Sequence, residues 1–467
     1  MHPFHFSVST FARNRLALAA VLLASLAFPL TITGAALALP GIQRDLAATL
    51  PAAQWVVNGY NTCFAAFLTF AGSLADLLGR RRLFSAGIVL FLVGSLSCVL
   101  ADDILLLNAA RAVAGLGAAA AVATGSSILA ASFQGSARTR AFGALGTVLG
   151  IGLAFGPTVS GFLVTALGWR SVFALPAVLS GLVLVLCPLL PRLPGLRGRR
   201  IDWLGGALFT SSLIVLIVVF VVAPSFGIGS LVVIGGMVAA LVLGSLFVLV
   251  ERRVSDPMFD LGLLGNRTFA GLTIVAGTMM GVLVPLLVYL PSYLIDVIGL
   301  EADQAGLWLL MLTVPSVVLP SVGAMIARRS VVLLVSGSAA VSGAGVLLLA
   351  TIGADSTAWQ LFAPLLLTGV GVGLTTGVID GLAISGVDAK QAGTAAGLFN
   401  TGRLTAETIA LAVVGSALAA ISGGHLAGTG FSTALRTVSV ALGVLALLVA
   451  GGVAVLLARG RRGRAGG

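Results

Sequence analysis

The chain alternates between long apolar runs and short polar connections. An α-helix needs about 20 residues to cross a bilayer, and on that basis fourteen spans are expected. Their approximate limits are 16–39, 53–75, 83–101, 104–132, 141–166, 171–190, 203–223, 231–250, 268–290, 305–327, 331–352, 360–386, 392–420 and 432–458. The first run follows Arg13 and Arg15 and has small residues at Ala36 and Ala38, the outline of a signal peptide. Its length and the dozen runs behind it make it an uncleaved first helix.

Charge in the connections alternates. Twenty-one of the 26 basic residues fall in the connections on one side, against Arg44, Arg170 and Arg436 on the other. The second side holds Asp45, Asp102, Asp103, Asp296, Glu301, Asp303 and Asp355. The positive-inside rule therefore places both termini in the cytoplasm. Composition agrees with an integral membrane protein: mean hydropathy is +1.14 and 9% of residues are charged, against roughly 25% in soluble domains. The net charge of +11 belongs to loops beside an anionic leaflet rather than to a nucleic-acid surface. Lys390 is the only lysine and Ala and Gly abound, a bias of GC-rich bacterial genomes, so the expected location is a bacterial cytoplasmic membrane.

Several chemistries drop out. Cys63, Cys98 and Cys187 stand singly in apolar runs, and His2, His5 and His425 are terminal or in a loop, so neither a metal site nor a disulfide framework is expected. Lys390 sits in DAKQ, which excludes a phosphate-binding P-loop. No cofactor is expected, and uphill work must draw on an ion gradient or a partner. No Ser/Lys pair or intramembrane histidine marks an enzyme, and the loops are too short for a receptor's ligand domain.

Four charged residues lie inside the runs: Arg111, Asp380, Arg403 and Glu407. Each costs at least about 2.5–3.5 kcal/mol in hydrocarbon, so such residues face a cavity or one another. Arg403 and Glu407 are spaced i,i+4 and are able to pair. The chain also repeats itself weakly: GLGAAAAVATGSSILAASF in the fourth run parallels GVGVGLTTGVIDGLAISGV in the twelfth. Internal repetition of this kind marks secondary transporters. The expected organisation is a six-helix bundle over 1–200, two inserted helices over 201–250 and a second six-helix bundle over 251–467.

Between the second and third runs lies GSLADLLGRRRLF, Gly72 to Phe84. Its arginines alone make it a topology anchor. With ALPGIQRDL at Ala38, QWVVNGY at Gln54, RAVAGLGAA at Arg111, GLAFGPTVSG at Gly152, GWRSVFALP at Gly168, DWLGGAL at Asp202 and FNTGR at Phe399, the chain resembles the major facilitator superfamily. Within it, the fourteen-helix drug:proton antiporters are the resembled group. The resemblance implies an all-α membrane fold in which Gly72, Asp76, Gly79 and Arg80 form a cytoplasmic gate that locks the outward-open state. It also makes Gly152, Gly156, Pro157 and Gly161 the helix-five antiporter motif, whose glycines allow close packing and whose proline permits a bend. The chain departs from the family at Thr31, where helix one often has an acid, and at Ala114, where helix four usually has a glutamine. It departs again at Ser160, and in the second-half copy GAMIARRS at Gly323, which lacks an acid.

With no acid at position 31, proton exchange falls to Asp380 and Glu407, tuned by Arg111 and Arg403. Helical rise puts Glu407 roughly 21 Å from the start of its run, Arg111 about 10 Å in from the opposite side, and Asp380 about 9 Å from its own end. Thr31, Asn58, Tyr60, Asn61, Thr375, Thr376 and Asn400 are the polar candidates for a substrate cavity; interhelical hydrogen bonding is the alternative for each. The expected function is export of a hydrophobic or amphipathic drug or antibiotic against protons by a functional monomer; symport or uniport of a small metabolite on the same fold is the alternative. Replacing Asp76→Asn is expected to impair drug transport while leaving the protein inserted, and loss of Arg328 to matter less. Transport assays beside membrane-fraction immunoblots check both.

Overall fold

The computed structural model describes residues 10–191, 202–227, 229–254, 261–353, 355–387, 392–423 and 428–465. Lys390, the arginines between 192 and 200, and the side chain of Asp76 lie outside the described residues.

The apolar runs fold as helices: α1 Thr10–Asp45, α2 Leu50–Leu78, α3 Arg80–Val99, α4 Ile104–Ser132, α5 Gly135–Leu167, α6 Ser171–Leu186, α7 Trp203–Phe226, α8 Leu231–Glu251 and α9 Arg267–Asp296. The tenth run is broken into α10 Ala302–Trp308, α11 Leu310–Thr313, α12 Pro315–Val318 and α13 Pro320–Arg329. Then follow α14 Val331–Leu348, α15 Phe362–Thr375, α16 Val378–Ser385, α17 Ala392–Ser422 and α18 Gly428–Ala465. Among the described residues, twelve helices are long and apolar enough to cross a membrane, thirteen if the pair bent by 49° near Leu319 is one span. The expected span 53–75 forms α2, 29 residues long, but stands outside that set.

Polar side chains start the helices where the chain leaves a connection. Asp103 Oδ1 accepts from the Leu105 and Leu106 amides at 2.8 and 2.9 Å, and Asn266 caps α9 in the same way. A single residue, Gly79, separates α2 from α3; its φ of +91° is one an L side chain resists. Gly377, at φ +71°, breaks the twelfth run into α15 and α16.

Hydrogen bonds gather the connections at two ends. Trp169 Nε1 donates to Asp45 Oδ2 at 2.7 Å, and Arg170 donates to the Ala101 carbonyl at 3.1 Å. These join the connections after α1, α3 and α5 at an acidic end. Opposite, at an arginine end, Asn14 donates to the Ser132 carbonyl and Arg81 to that of Pro188, both at 2.8 Å.

Packing in the first half recurs in the second. α1 lies on α5 and α6 as α9 lies on α17 and α18, and α3 lies on α4 as α14 lies on α15. Between the halves, α5 meets α10, α1 meets α9, and α2 meets α17. Thr158 Oγ1 donates to the Gly306 carbonyl at 3.1 Å, Thr313 Oγ1 to Ala154 at 2.7 Å, and Gln54 Nε2 to Gly415 at 2.6 Å. The core that joins the halves runs through Ala35–Ile42, Leu50–Val57, Leu286–Leu294 and Leu411–Ala419, towards the acidic end. Towards the arginine end, a separate core of Ala17–Phe28, Phe84–Phe91 and Ile128–Leu129 belongs to the first half alone. α7 packs against α2 and α17, with α8 outside it.

Glycines set the closest approaches. A Cβ at Gly94 of α3 would lie 2.6 Å from the Ala114 nitrogen of α4, whereas Gly143 of α5 has open space around it. Gly94→Val is therefore expected to cost about 1–3 kcal/mol by overpacking, and Gly143→Ala to gain about 0.5–1 kcal/mol. Thermal denaturation of purified variants in detergent checks both signs.

Candidate functional site

The deepest charge is Arg111, on the third turn of α4 and 0% exposed. Its Nε donates to the Val56 carbonyl at 2.6 Å and its Nη1 to Thr31 Oγ1 at 3.0 Å. The guanidinium lies 4.3 Å from the centre of the Tyr60 ring and 5.5 Å from that of Phe173. A carbonyl, a hydroxyl and two ring faces thus hold it, and ring quadrupoles attract a desolvated cation well. Thr31, which stands where an acid was looked for, is a ligand of this arginine. Gly115, next to the Tyr60 carbonyl, lets α2 approach α4 closely enough for these contacts.

A second charged group lies nearer the arginine end. Arg403 Nη1 meets Asp380 Oδ1 at 3.3 Å, and Nη2 donates to Asn400 Oδ1 at 3.0 Å; the two charged side chains are 29% and 32% exposed. The i,i+4 spacing pointed to Glu407 as the partner of Arg403. The structure pairs Arg403 with Asp380 instead, across the packing of α16 on α17. Glu407 is 8% exposed and forms no hydrogen bond or ion pair among the described residues.

The polar candidates divide. Thr375 and Thr376 donate to the Val372 carbonyl at 2.8 and 3.0 Å, and the Asn400 amide to Ala396 at 3.0 Å, so their own helices satisfy them. Asn58, Tyr60 and Asn61 are at most 2% exposed, and Asn58 Nδ2 and Oδ1, Tyr60 Oη and Asn61 Nδ2 find no partner.

The α5 motif faces two neighbours. A Cβ at Gly152 would lie 3.2 Å from Pro29, and one at Gly156 would collide with Thr33, both on α1. Gly161 faces the Ala302 carbonyl, and the Pro157 carbonyl faces Gly306 on α10 in the other half. Near the end of α2, Gly72 has open space around it. Arg80 donates to the Ser127 carbonyl at 3.5 Å, a contact within the same half.

Three features escaped sequence reasoning. Gln54 spans the halves, yet in the sequence it was only the first letter of QWVVNGY. Tyr289 is fully buried with an unpartnered hydroxyl; a tyrosine in an apolar run, one of only three in the chain, was the available signal. Asp202 and Glu251 both face Gly205 at the start of α7, with Asp202 capping the helix through the Gly205 amide at 2.8 Å. Their signal was a pair of acids bracketing the inserted helices. Among the described residues, no group of three or more His, Cys, Asp or Glu is placed to hold a metal.

A sequence profile of the Major Facilitator Superfamily matches residues 21–410. The chain is 35% identical over 387 residues to Multidrug resistance protein Stp of Mycobacterium tuberculosis, covering 82% of this chain and 72% of that one. It is 32% identical over 428 residues to the Probable actinorhodin transporter of Streptomyces coelicolor (87% and 72% covered). To Puromycin resistance protein pur8 of Streptomyces alboniger it is 31% identical over 448 residues (92% and 89% covered). Among solved structures, an auto-inhibited POT family peptide transporter superposes with a TM-score of 0.69 at 14% identity (96% and 97% covered). A bacterial homologue of the human lysosomal transporter Spinster, in its inward-facing and unoccupied conformation, superposes with a TM-score of 0.68, also at 14% identity (95% and 96% covered).

Proposed function

This chain belongs to the Major Facilitator Superfamily, and on that premise we propose that it is a proton-coupled exporter of hydrophobic or amphipathic drugs. Its relatives include resistance and export proteins named for puromycin, actinorhodin and tetracenomycin C. Polycyclic or aromatic antibiotics of low charge are accordingly the proposed substrates. The arginine end is assigned to the cytoplasm by the positive-inside rule. The halves pack together at the other end, so this form would accept substrate from the cytoplasmic side.

The observation that carries the reading is Glu407: a buried acid without an ion partner, one turn from an arginine already engaged by Asp380. A carboxylate in that position is costly as an anion, so gaining a proton relieves it. Moving Arg403 between Asp380 and Glu407 would then load and unload the proton as the halves exchange. Arg111, held by neutral groups, is a fixed positive charge that limits how many protons the site takes up. One elementary charge crossing 100 mV supplies about 2.3 kcal/mol, enough for a drug gradient of roughly 40-fold. A functional monomer is proposed.

Everted membrane vesicles test the reading. With puromycin or ethidium as the probe, an imposed pH gradient is expected to drive uptake, and a protonophore to abolish it. Glu407→Gln is expected to remove the response to the gradient while leaving downhill drug exchange in place. Undiminished gradient-driven uptake by Glu407→Gln overturns the assignment.

A further inference from the structure

Gln54, Asn58 and Asn61 stand at i, i+4 and i+7 of α2, so they share one face. At its head Gln54 meets α17, which packs on α2: Nε2 donates to the Gly415 carbonyl at 2.6 Å. The two helices run antiparallel. Counted in helical turns from that bond, Asn58 comes level with Leu411, and Thr62 with Glu407. The seam from Gly415 to Glu407 is eight residues of helix, about 12 Å.

This seam is polar where a sealed helix contact would be apolar. Asn58 is 0% exposed with neither amide atom partnered, and Gln54 Oε1, Asn61 Nδ2 and Thr62 Oγ1 are likewise without partners. Tyr289 of α9 brings a further unpartnered hydroxyl to the acidic-end mouth of the seam. A Cβ built on Gly415 would touch that hydroxyl and lie 3.1 Å from Gln54 Nε2, so all three groups converge. Interhelical polar groups normally justify their burial by bonding to one another. Most of the hydrogen-bonding capacity here is unmet while the halves are packed together, and parting them at the acidic end would let water meet it.

We propose that the α2–α17 seam is the path by which protons from the acidic-loop face reach Glu407, with Gln54 and Tyr289 as its gate at Gly415. The inference rests on the reading of Glu407 as the proton carrier. In the closed form the Gln54 amide bridges the seam and shuts it. When the halves part there, water enters along Asn58, Asn61 and Thr62. A proton then passes from hydronium, breaking one O–H bond, to the Glu407 carboxylate, forming another. The amides and hydroxyls orient the water and do not change charge. The unmet polar atoms also weaken the closed seam, so it opens without breaking an ion pair.

The main readout needs no drug, and ethidium binding is measured beside it. Dicyclohexylcarbodiimide modifies protonated carboxyl groups, and mass spectrometry quantifies its adduct on Glu407 in proteoliposomes of one orientation. In the wild type, acidifying the acidic-loop face alone is expected to raise that adduct. In Asn58→Leu and in the milder Tyr289→Phe the rise is expected to fall about tenfold, the scale of one buried hydrogen-bonding group. Asn58→Ser, which keeps a hydroxyl, is expected to retain most of it. Asn58→Leu is also expected to melt at a higher temperature than the wild type, since an unmet polar group has been removed. A wild-type response in both Asn58→Leu and Tyr289→Phe overturns the path. So does a shifted Kd for ethidium with an unchanged Glu407 response, which would make these residues substrate contacts. Proton-driven export that survives Glu407→Gln would instead remove the reading beneath the proposal, and that arm is measured separately.

Discussion

A bilayer interior offers a polar group no hydrogen-bond partner, and the first half of this molecule is arranged around one fully buried guanidinium that must be satisfied there. Arg111 takes a backbone carbonyl and the Tyr60 ring from α2, a hydroxyl from α1 and the Phe173 ring from α6. Those contacts require α2 and α4 to lie almost backbone to backbone. Gly115 opposite the Tyr60 carbonyl meets that demand on one side of α4, and Gly117 against Gly87 and Phe91 repeats it on the other. Removing the arginine would leave the four elements without the centre that orients them.

The same constraint governs how the molecule changes shape. The hydrogen bonds that join the halves at the acidic end, among the described residues, are neutral: side-chain hydroxyls and an amide on backbone carbonyls, beside glycines against peptide groups. Such contacts are directional and brittle, and breaking them leaves no bare charge behind. The described charge pair near the arginine end, Asp380 with Arg403, is partly exposed, where water screens it and lowers the cost of exchanging partners. Neutral closure at one end and exchangeable charge towards the other suit a machine that must move a proton without trapping a bare charge.

Much of this was legible in the sequence, for physical reasons. Membrane-length apolar runs and the one-sided distribution of arginine follow directly from the thickness and charge of a bilayer. Most helix ends fall near the expected limits, although α1, α5, α9 and α18 run past them and the tenth and twelfth runs are broken. The glycines of the α5 motif were readable because Gly-Pro in the middle of a span has few uses besides close packing and bending. What stayed hidden was pairing across helices. The i,i+4 spacing of Arg403 and Glu407 allowed them to pair, yet α16 packed on α17 brings Asp380 to the arginine. Spacing within one helix says nothing of which neighbouring helix packs against it. Thr375 and Thr376 looked like cavity groups but bond their own helix turn, as hydroxyls in helices commonly do. Asn58 and Asn61 looked the same as those threonines in sequence and differ from them only in what surrounds them.

Coupling requires that drug binding change the protonation of a group inside the protein, and that group is proposed to be Glu407. The direct measurement is the proton release that follows addition of ethidium to purified protein in weakly buffered detergent, read with a pH indicator. The wild type is expected to release protons in proportion to drug bound, and Glu407→Gln to bind drug with no release. Equal release from both proteins would contradict the account.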